Sequence, residues 1–308
     1  MSGINKVDRN GLTEEEFLRS YRPGDYERPS LTVDMLIFTV LSSAPENYRR
    51  TADKTLQVLL IRRGEHPFLG SWALPGGFVG IHESVDEAAK RELKSETGVD
   101  HAYLEQLYTW GEVGRDPRMR VVSCSYMALM DRSQLQLQAG DDADDARWFD
   151  VSSEILSEKN TPLADGERRE RRIRIVLENE DLRLEPIVQV TEHREGHGRT
   201  LRREVVDSGG LAFDHAKMIE YGIERLRSKL EYTDIAFALM PQLFTLSELQ
   251  RVYEVILGKP LLAAAFRRKI AGRVEETEEF TREGGHRPSK LYRYRQAGEE
   301  TDREEERI

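Results

Sequence analysis

The residues best placed to do chemistry lie in one stretch, Gly77 to Val99, which reads GFVGIHESVDEAAKRELKSETGV. Glu92 and Glu96 are four positions apart. A helix turns by about 100° and rises about 1.5 Å per residue, so the two carboxylates emerge roughly 40° and roughly 6 Å apart, on one face. Position 95 lies beside them and is a serine. Three carboxylates so placed would hold a hard divalent cation such as Mg2+ against a diphosphate. The set here is one short. A pair of unit charges about 4 Å apart contributes at most about 4 kcal/mol at an effective dielectric of about 20, and a divalent ion roughly doubles that, so the missing acid should cut metal affinity by a large factor. Arg91 either orients Glu92 or pairs with Glu87 one turn back. Glu83, just before the stretch turns helical, serves either the helix dipole or the chemistry.

A second group lies near the C-terminus. Arg267, Arg268 and Lys269 sit on the flanks and far side of a helix whose buried side is set by Leu262, Phe266 and Ile270. Ala263, Ala264 and Ala265 precede them, and small residues allow close approach to a major groove. Arg287, Lys290 and Arg293 follow in a glycine-containing hairpin. Such a set neutralises phosphates, and only one or two members could read base edges. Tyr292 and Tyr294 share one side of the last strand and read as core.

These residues need elements to position them. Ser84 and Glu87 form a capping box, Val85, Ala88, Ala89 and Leu93 an apolar stripe, and Gly98 a stop, so the acidic pair rides on a helix from Ser84 to Thr97. Strands are expected at Leu31–Leu41, Thr55–Arg62, Leu104–Trp110 and Arg120–Met130, punctuated by Gly64, Asp116-Pro117 and Asp141-Asp142. Strands around one embedded helix predict an α+β domain. Residues 156–210 read as an insertion of one or two hairpins, with a turn at Asn179-Glu180-Asp181. From Asp214 to Leu230 the helical period returns through Ile219, Ile223, Leu226 and Leu230. Thr245 and Glu248 make another capping box, Leu246, Leu249, Tyr253 and Ile256 a face, and Gly258 with Pro260 an end. Two helices followed by strands at Val274–Phe280 and Leu291–Arg295 outline a winged helix.

The chain is 308 residues long with a formal net charge of −10, which argues against a nucleic-acid-coating protein. The charge is uneven, however: residues 245–295 carry +4 and residues 296–308 carry −4. The expected organisation is a polar lead-in at 1–30, a ligand-binding domain at 31–232, a DNA-binding domain at 233–295 and an acidic, disordered tail at 296–308. No run of 18 apolar residues or signal-peptide core is present, so a cytoplasmic protein with no membrane partner is expected. One cysteine, Cys124, excludes an internal disulfide and reads as a buried strand residue.

The stretch from Gly77 to Val99 resembles the Nudix box, G-x5-E-x7-R-E-U-x-E-E-x-G-U with U apolar. Gly77, Glu83, Arg91, Glu92, Leu93, Glu96, Gly98 and Val99 match, and Ser95 stands where the box has Glu. Trp72-Ala73-Leu74-Pro75-Gly76-Gly77 looks like the usual lead-in. Together with FTLSELQRVYEVILGKPL (Phe244–Leu261), FRRKI (Phe266–Ile270), GHRPSKLYRY (Gly285–Tyr294), YERPSLTVDMLIFTV (Tyr26–Val40) and AFDHAKMI (Ala212–Ile219), the chain is similar to the Nudix-related transcriptional regulators, the NrtR family. The resemblance implies a Nudix fold, an α/β/α sandwich on a mixed sheet, followed by a winged helix-turn-helix domain. It implies a dimeric repressor of NAD synthesis or salvage genes whose Nudix domain senses ADP-ribose or a related nucleotide near Gly76, Gly77, Glu92, Glu96 and Arg118. Gly114 and Asp214 join that pocket by resemblance alone. Glu92 and Glu96 would be vestigial catalytic and metal residues. No cofactor is then required, with Mg2+ relevant only if hydrolysis is retained. Ser95 leaves three readings open: water or a loop acid completes the metal shell, the domain binds a nucleoside diphosphate compound but hydrolyses it poorly, or the cavity is a relic. Two other functions fit the same pattern, a Mg2+-dependent hydrolase of ADP-ribose and a sugar-responsive regulator. In the regulator, the angle between domains is expected to change near Thr233–Phe244.

Overall fold

The computed structural model describes residues 6–42, 53–134, 146–281 and 288–295. A short helix, α1 (Glu14–Ser20), is closed by a Thr13–Glu16 capping box and lies in the expected lead-in. Strands β1 (Ser30–Ser42), β2 (Lys54–Arg62), β3 (Trp72–Ala73) and β4 (Gly76–Phe78) lead to helix α2 (Val85–Thr97). Then follow β5 (Tyr103–Trp110), β6 (Val121–Leu129), β7 (Ala146–Leu163), β8 (Gly166–Asn179), β9 (Leu182–Leu184), β10 (Ile187–Glu195) and β11 (Gly198–Asp207). Helix α3 (His215–Lys229) closes this part. Helices α4 (Leu246–Leu257) and α5 (Ala263–Ile270) and strands β12 (Val274–Phe280) and β13 (Lys290–Tyr294) complete the described chain.

The strands β1 to β11 form one mixed sheet, with a main path β11-β10-β8-β7-β2-β1-β6-β5. The β1–β6 pair is parallel and its neighbours are antiparallel. Alternation along β1 explains why helices cover both faces. Val33, Met35 and Ile37 point into a core completed by Ala88, Ala89 and Leu93 of α2. Leu36, Phe38 and Val40 point into the opposite core with Met218, Ile219 and Leu226 of α3. Gly222 lets α3 come close, since a Cβ there would collide with Leu36.

Residues 156–210 form hairpins, β7 with β8 and β10 with β11, and these extend the main sheet, with position 156 inside β7. The expected turn is present, with Glu180 at φ 43° between β8 and β9. A sheet edge has free backbone donors and acceptors wherever it stops, so added strands join it without needing a core of their own. Leu262 caps α5 from outside and is 82% exposed, leaving Phe266 and Ile270 as its buried side. Thr233–Phe244, the expected place of an angle change between domains, contains a 3-10 helix at Ile235–Leu239, with Ile235, Ala236, Leu239 and Phe244 in the same core as β1 and α3. Phe244 also forms an isolated β-bridge to Tyr292 of the wing, with N···O distances of 3.0 and 2.8 Å. Arg287 and the segment 296–308 lie outside the described residues.

Candidate functional site

The local chemistry of α2 is organised by its N-terminus. Ser84 accepts from the Glu87 N–H, and the Glu87 carboxylate accepts from the Ser84 N–H at 2.7 Å. Glu87 is therefore occupied, and Arg91 pairs elsewhere. Its guanidinium donates to Glu83 at 2.7 and 3.1 Å, to Glu92 at 2.5 Å and to the Phe78 carbonyl at 3.2 Å. Arg91, followed by the Gly80 N–H, holds the Glu83 carboxyl down to about 2. Of the two readings of Arg91, the structure realises the one in which it positions Glu92.

Glu92 is buried, whereas Glu96 is half-buried and makes no hydrogen bond among the described residues. Burial, with the charge of Glu92 behind it, raises the Glu96 carboxyl above its ordinary value. Ser95 is exposed on the same helix. Among the described residues no three acidic, histidine or cysteine side chains gather as a metal-binding group. With Glu92 already engaged by Arg91, these donors fall short of the oxygen-rich shell that Mg2+ prefers.

Gly77 sits against the Glu92 carboxylate, where a Cβ would clash, and Gly76 sits against the Val33 carbonyl, where a Cβ would clash as well. The pair forms the floor of a cavity of about 180 Å³. Arg63, Phe78, Arg118, Phe213 and His215 are among its walls. Arg118 is clamped to Asp116 at 2.8 and 3.1 Å and lies over the Phe78 ring at 5.7 Å. Arg63 lies over the Phe213 ring at 4.9 Å. Aromatic rings faced by guanidinium groups suit a ligand that combines a flat base with anionic oxygens.

Asp34 and Arg115, which also line the cavity, belong to a buried charge network. Arg115 donates two hydrogen bonds to Asp214, at 2.7 and 3.1 Å, and its guanidinium is 3.6 Å from Asp34. Asp34 also accepts from the Ser123 hydroxyl. Lys217 bridges Glu112 at 2.9 Å and Asp214 at 3.1 Å. Burial alone would raise the Asp214 carboxyl, but the hydrogen bonds and charge of Arg115, then the charge of Lys217, pull it below its ordinary value. His215 Nδ1 accepts from the Leu74 N–H at 2.9 Å, so the ring's own proton sits on Nε2, 3.5 Å from Asp34. Burial lowers its pKa and keeps it neutral, against the opposing charges of Asp34 and Asp214. Phe213 holds a left-handed φ of 51°, a strained conformation of the kind that clusters at functional sites.

Of the residues expected at the ligand site, Gly76, Gly77 and Arg118 line the cavity, and Glu92 lies directly behind Gly77. Glu96 is not on its wall. Gly114 and Asp214 line an adjoining cavity. Sequence reasoning missed Asp34, Arg63, Arg115, Phe213 and His215. A signal for Asp34 existed, as it interrupts an apolar core strand, where an acid needs a partner. The others depend on contacts between elements far apart in the chain.

The C-terminal module presents a different arrangement. Arg267, Arg268 and Lys269 are exposed on the outer side of α5. Arg267 and Arg268 make no ion pair among the described residues, and Lys269 lies 5.8 Å from the Tyr253 ring centroid. In the wing, Lys290 pairs with Glu276 at 2.7 Å and Arg293 with Glu275 at 2.8 Å. Tyr294 donates to Asp234 at 2.9 Å and packs on Phe237, as a core residue would.

Comparison with known proteins agrees with both halves. Residues 49–171 match the NUDIX domain model, and residues 236–294 match the NrtR DNA-binding winged helix domain model. An ADPR-responsive transcriptional repressor, NtrR, of Acinetobacter baylyi is 34% identical over 92% of this chain and 90% of its own. The Shewanella oneidensis NrtR crystallised with a 27mer DNA is 32% identical, covers 86% of this chain and 93% of its own, and superposes with a TM-score of 0.57. A MutT/nudix family protein from Enterococcus faecalis is 31% identical, covers 92% of this chain and 94% of its own, and superposes with a TM-score of 0.64. With a Nudix helix lacking one acid, a sheet carrying a charged cavity and a winged helix on the same core, the chain belongs to the NrtR family of Nudix-related transcriptional regulators.

Proposed function

We propose that this chain is a transcriptional repressor of NAD synthesis or salvage genes that releases its operator when ADP-ribose or a related nucleotide occupies the Gly76–Gly77 cavity. It acts as a homodimer, setting two α5 helices about one helical turn of DNA apart, or a multiple of that. The observation that carries the reading is the path of α3. Its first turn supplies His215 and Lys217 to the ligand region. At its far end Arg227 donates to the Ile256 carbonyl of α4 at 2.8 Å and to Ser153 of β7 at 2.9 Å. One rigid element therefore touches the cavity and the helix that precedes α5. A ligand that reshapes the charge network around Arg115 and Asp214 displaces the N-terminus of α3, and the displacement reaches α4 through Arg227.

The ligand must bind the operator-free state better, with a typical coupling of about 1–3 kcal/mol. Fluorescence anisotropy with duplex DNA from upstream of the protein's own gene, with and without ADP-ribose at fixed salt, tests this. The expected result is sequence-specific binding that weakens as ADP-ribose is added and falls steeply with salt. Equal affinity for this DNA and a scrambled duplex would refute the reading.

A further inference from the structure

The Gly76–Gly77 cavity, at about 180 Å³, is below the roughly 300–1,000 Å³ of sites that enclose a drug-sized ligand. A nucleoside diphosphate joined to a second group needs more room. A second cavity, of about 520 Å³, shares Arg115 and Phe213 with the first. The two are halves of one groove divided by this pair of side chains. The added part of the sheet contributes to the second half: Arg202, Arg203, Glu204 and Val205 of β11 line it together with Phe68, Pro117 and Lys217. None of these β11 residues falls within the matched Nudix segment, 49–171.

The cations of the second half differ in how firmly they are held. Arg203 is buried, donates to Glu220 at 2.6 Å and also pairs with Glu224. Lys217 is buried between Glu112 and Asp214. Arg202 is 77% exposed, and its ion pair is with Glu204, two residues along the same strand. It can exchange that partner for a ligand at little cost, because an exposed ion pair contributes little. Phe68, at φ 63° and 40% exposed, has its ring centroid 4.7 Å from that of Phe213 and offers an aromatic surface beside it.

We propose that the effector is a two-ended nucleotide lying across the Arg115–Phe213 divide, and that Arg202 of β11 recognises the polar or anionic groups of the end in the second cavity. The added strands are then a specificity element for the effector. This rests on the proposed reading of the chain as a nucleotide-responsive regulator, and the test separates the two.

Titration calorimetry of the full chain with ADP-ribose, AMP and ribose 5-phosphate, for wild type, Arg202→Ala and Arg202→Glu, decides it. Arg202 is exposed, so both variants should melt as wild type does. Wild type should bind ADP-ribose more tightly than either half-molecule. Arg202→Glu should weaken ADP-ribose about tenfold or more, Arg202→Ala less, and at least one half-molecule, seated in the first cavity, should bind as before. ADP-ribose affinity that is unchanged in Arg202→Glu overturns the proposal, as does an equal loss for all three ligands. If wild type itself binds no ADP-ribose, the effector assignment fails as well.

Discussion

The Gly76–Gly77 groove and helix α5 both concentrate cations, yet they handle them in opposite ways. In the groove Arg115, Arg118 and Lys217 each have a carboxylate partner, and Arg115 and Lys217 are buried with theirs. On α5, Arg267 and Arg268 are exposed and have no acid partner among the described residues. Removing a charge from water is costly, so a buried cation persists only with a counter-charge. A cation left unpaired on a surface faces no such penalty and keeps its full charge for phosphates. On the proposed reading, the groove is a preassembled site for one small ligand and α5 an open contact for a polyanion. The wing lies between the two, since Lys290 and Arg293 are exposed in part but already satisfied by Glu276 and Glu275.

The comparison fails at its strongest point if Arg115→Met is tolerated. This change leaves Asp214 and Asp34 buried without their counter-charge and should cost about 3–5 kcal/mol, read as a large drop in melting temperature. At the other end, Arg267→Glu with Arg268→Glu should leave melting unchanged and weaken operator binding on the order of 100-fold, with a smaller salt slope. Stable protein that still binds DNA normally would exclude α5 as the contact. A smaller effect is expected at the blunted helix: Ser95→Glu restores the third acid beside Glu92 and Glu96 and should raise Mg2+-dependent ADP-ribose hydrolysis by at least about tenfold. Enzyme-like turnover of about 1 s⁻¹ in the wild type would instead favour a hydrolase. Lys290→Ala should change DNA affinity by no more than about threefold, because an exposed, paired cation contributes little.

A further effect concerns pH. His215 faces Asp34 and Asp214 as well as Arg115 and Arg63, and burial keeps its pKa below the ordinary value. The unfolded chain takes up a proton on this side chain below about pH 6.5, while the folded chain does not. Stability should therefore fall as the pH drops through about 6.5 until His215 itself protonates, with a slope of at most about 1.4 kcal/mol per pH unit. His215→Asn, which can still accept from the Leu74 N–H, should flatten that slope in urea melts. An unchanged slope would mean that another group controls it.

Local rules make much of the fold readable from the sequence. The capping boxes at Ser84 and Thr245 and the left-handed glycines Gly98 and Gly258 bound their helices as the residue types require. Successive apolar residues of β1 enter two cores, so both faces of this strand are covered. These signals act over a few residues, and the same holds for Glu92, Glu96 and Ser95. The sequence alone determined the acidic helix, its missing carboxylate and the basic face of α5.

Only the tertiary structure decided that β7 to β11 continue one sheet, that Arg91 serves Glu83 and Glu92 rather than Glu87, and that Arg63, Arg115, Phe213 and His215 meet at one cavity. Strand pairing and buried ion pairs join residues far apart in the chain, such as Arg115 and Asp214, 99 positions apart. Their partners are set by which groups desolvate together once the core closes, and no local spacing encodes that.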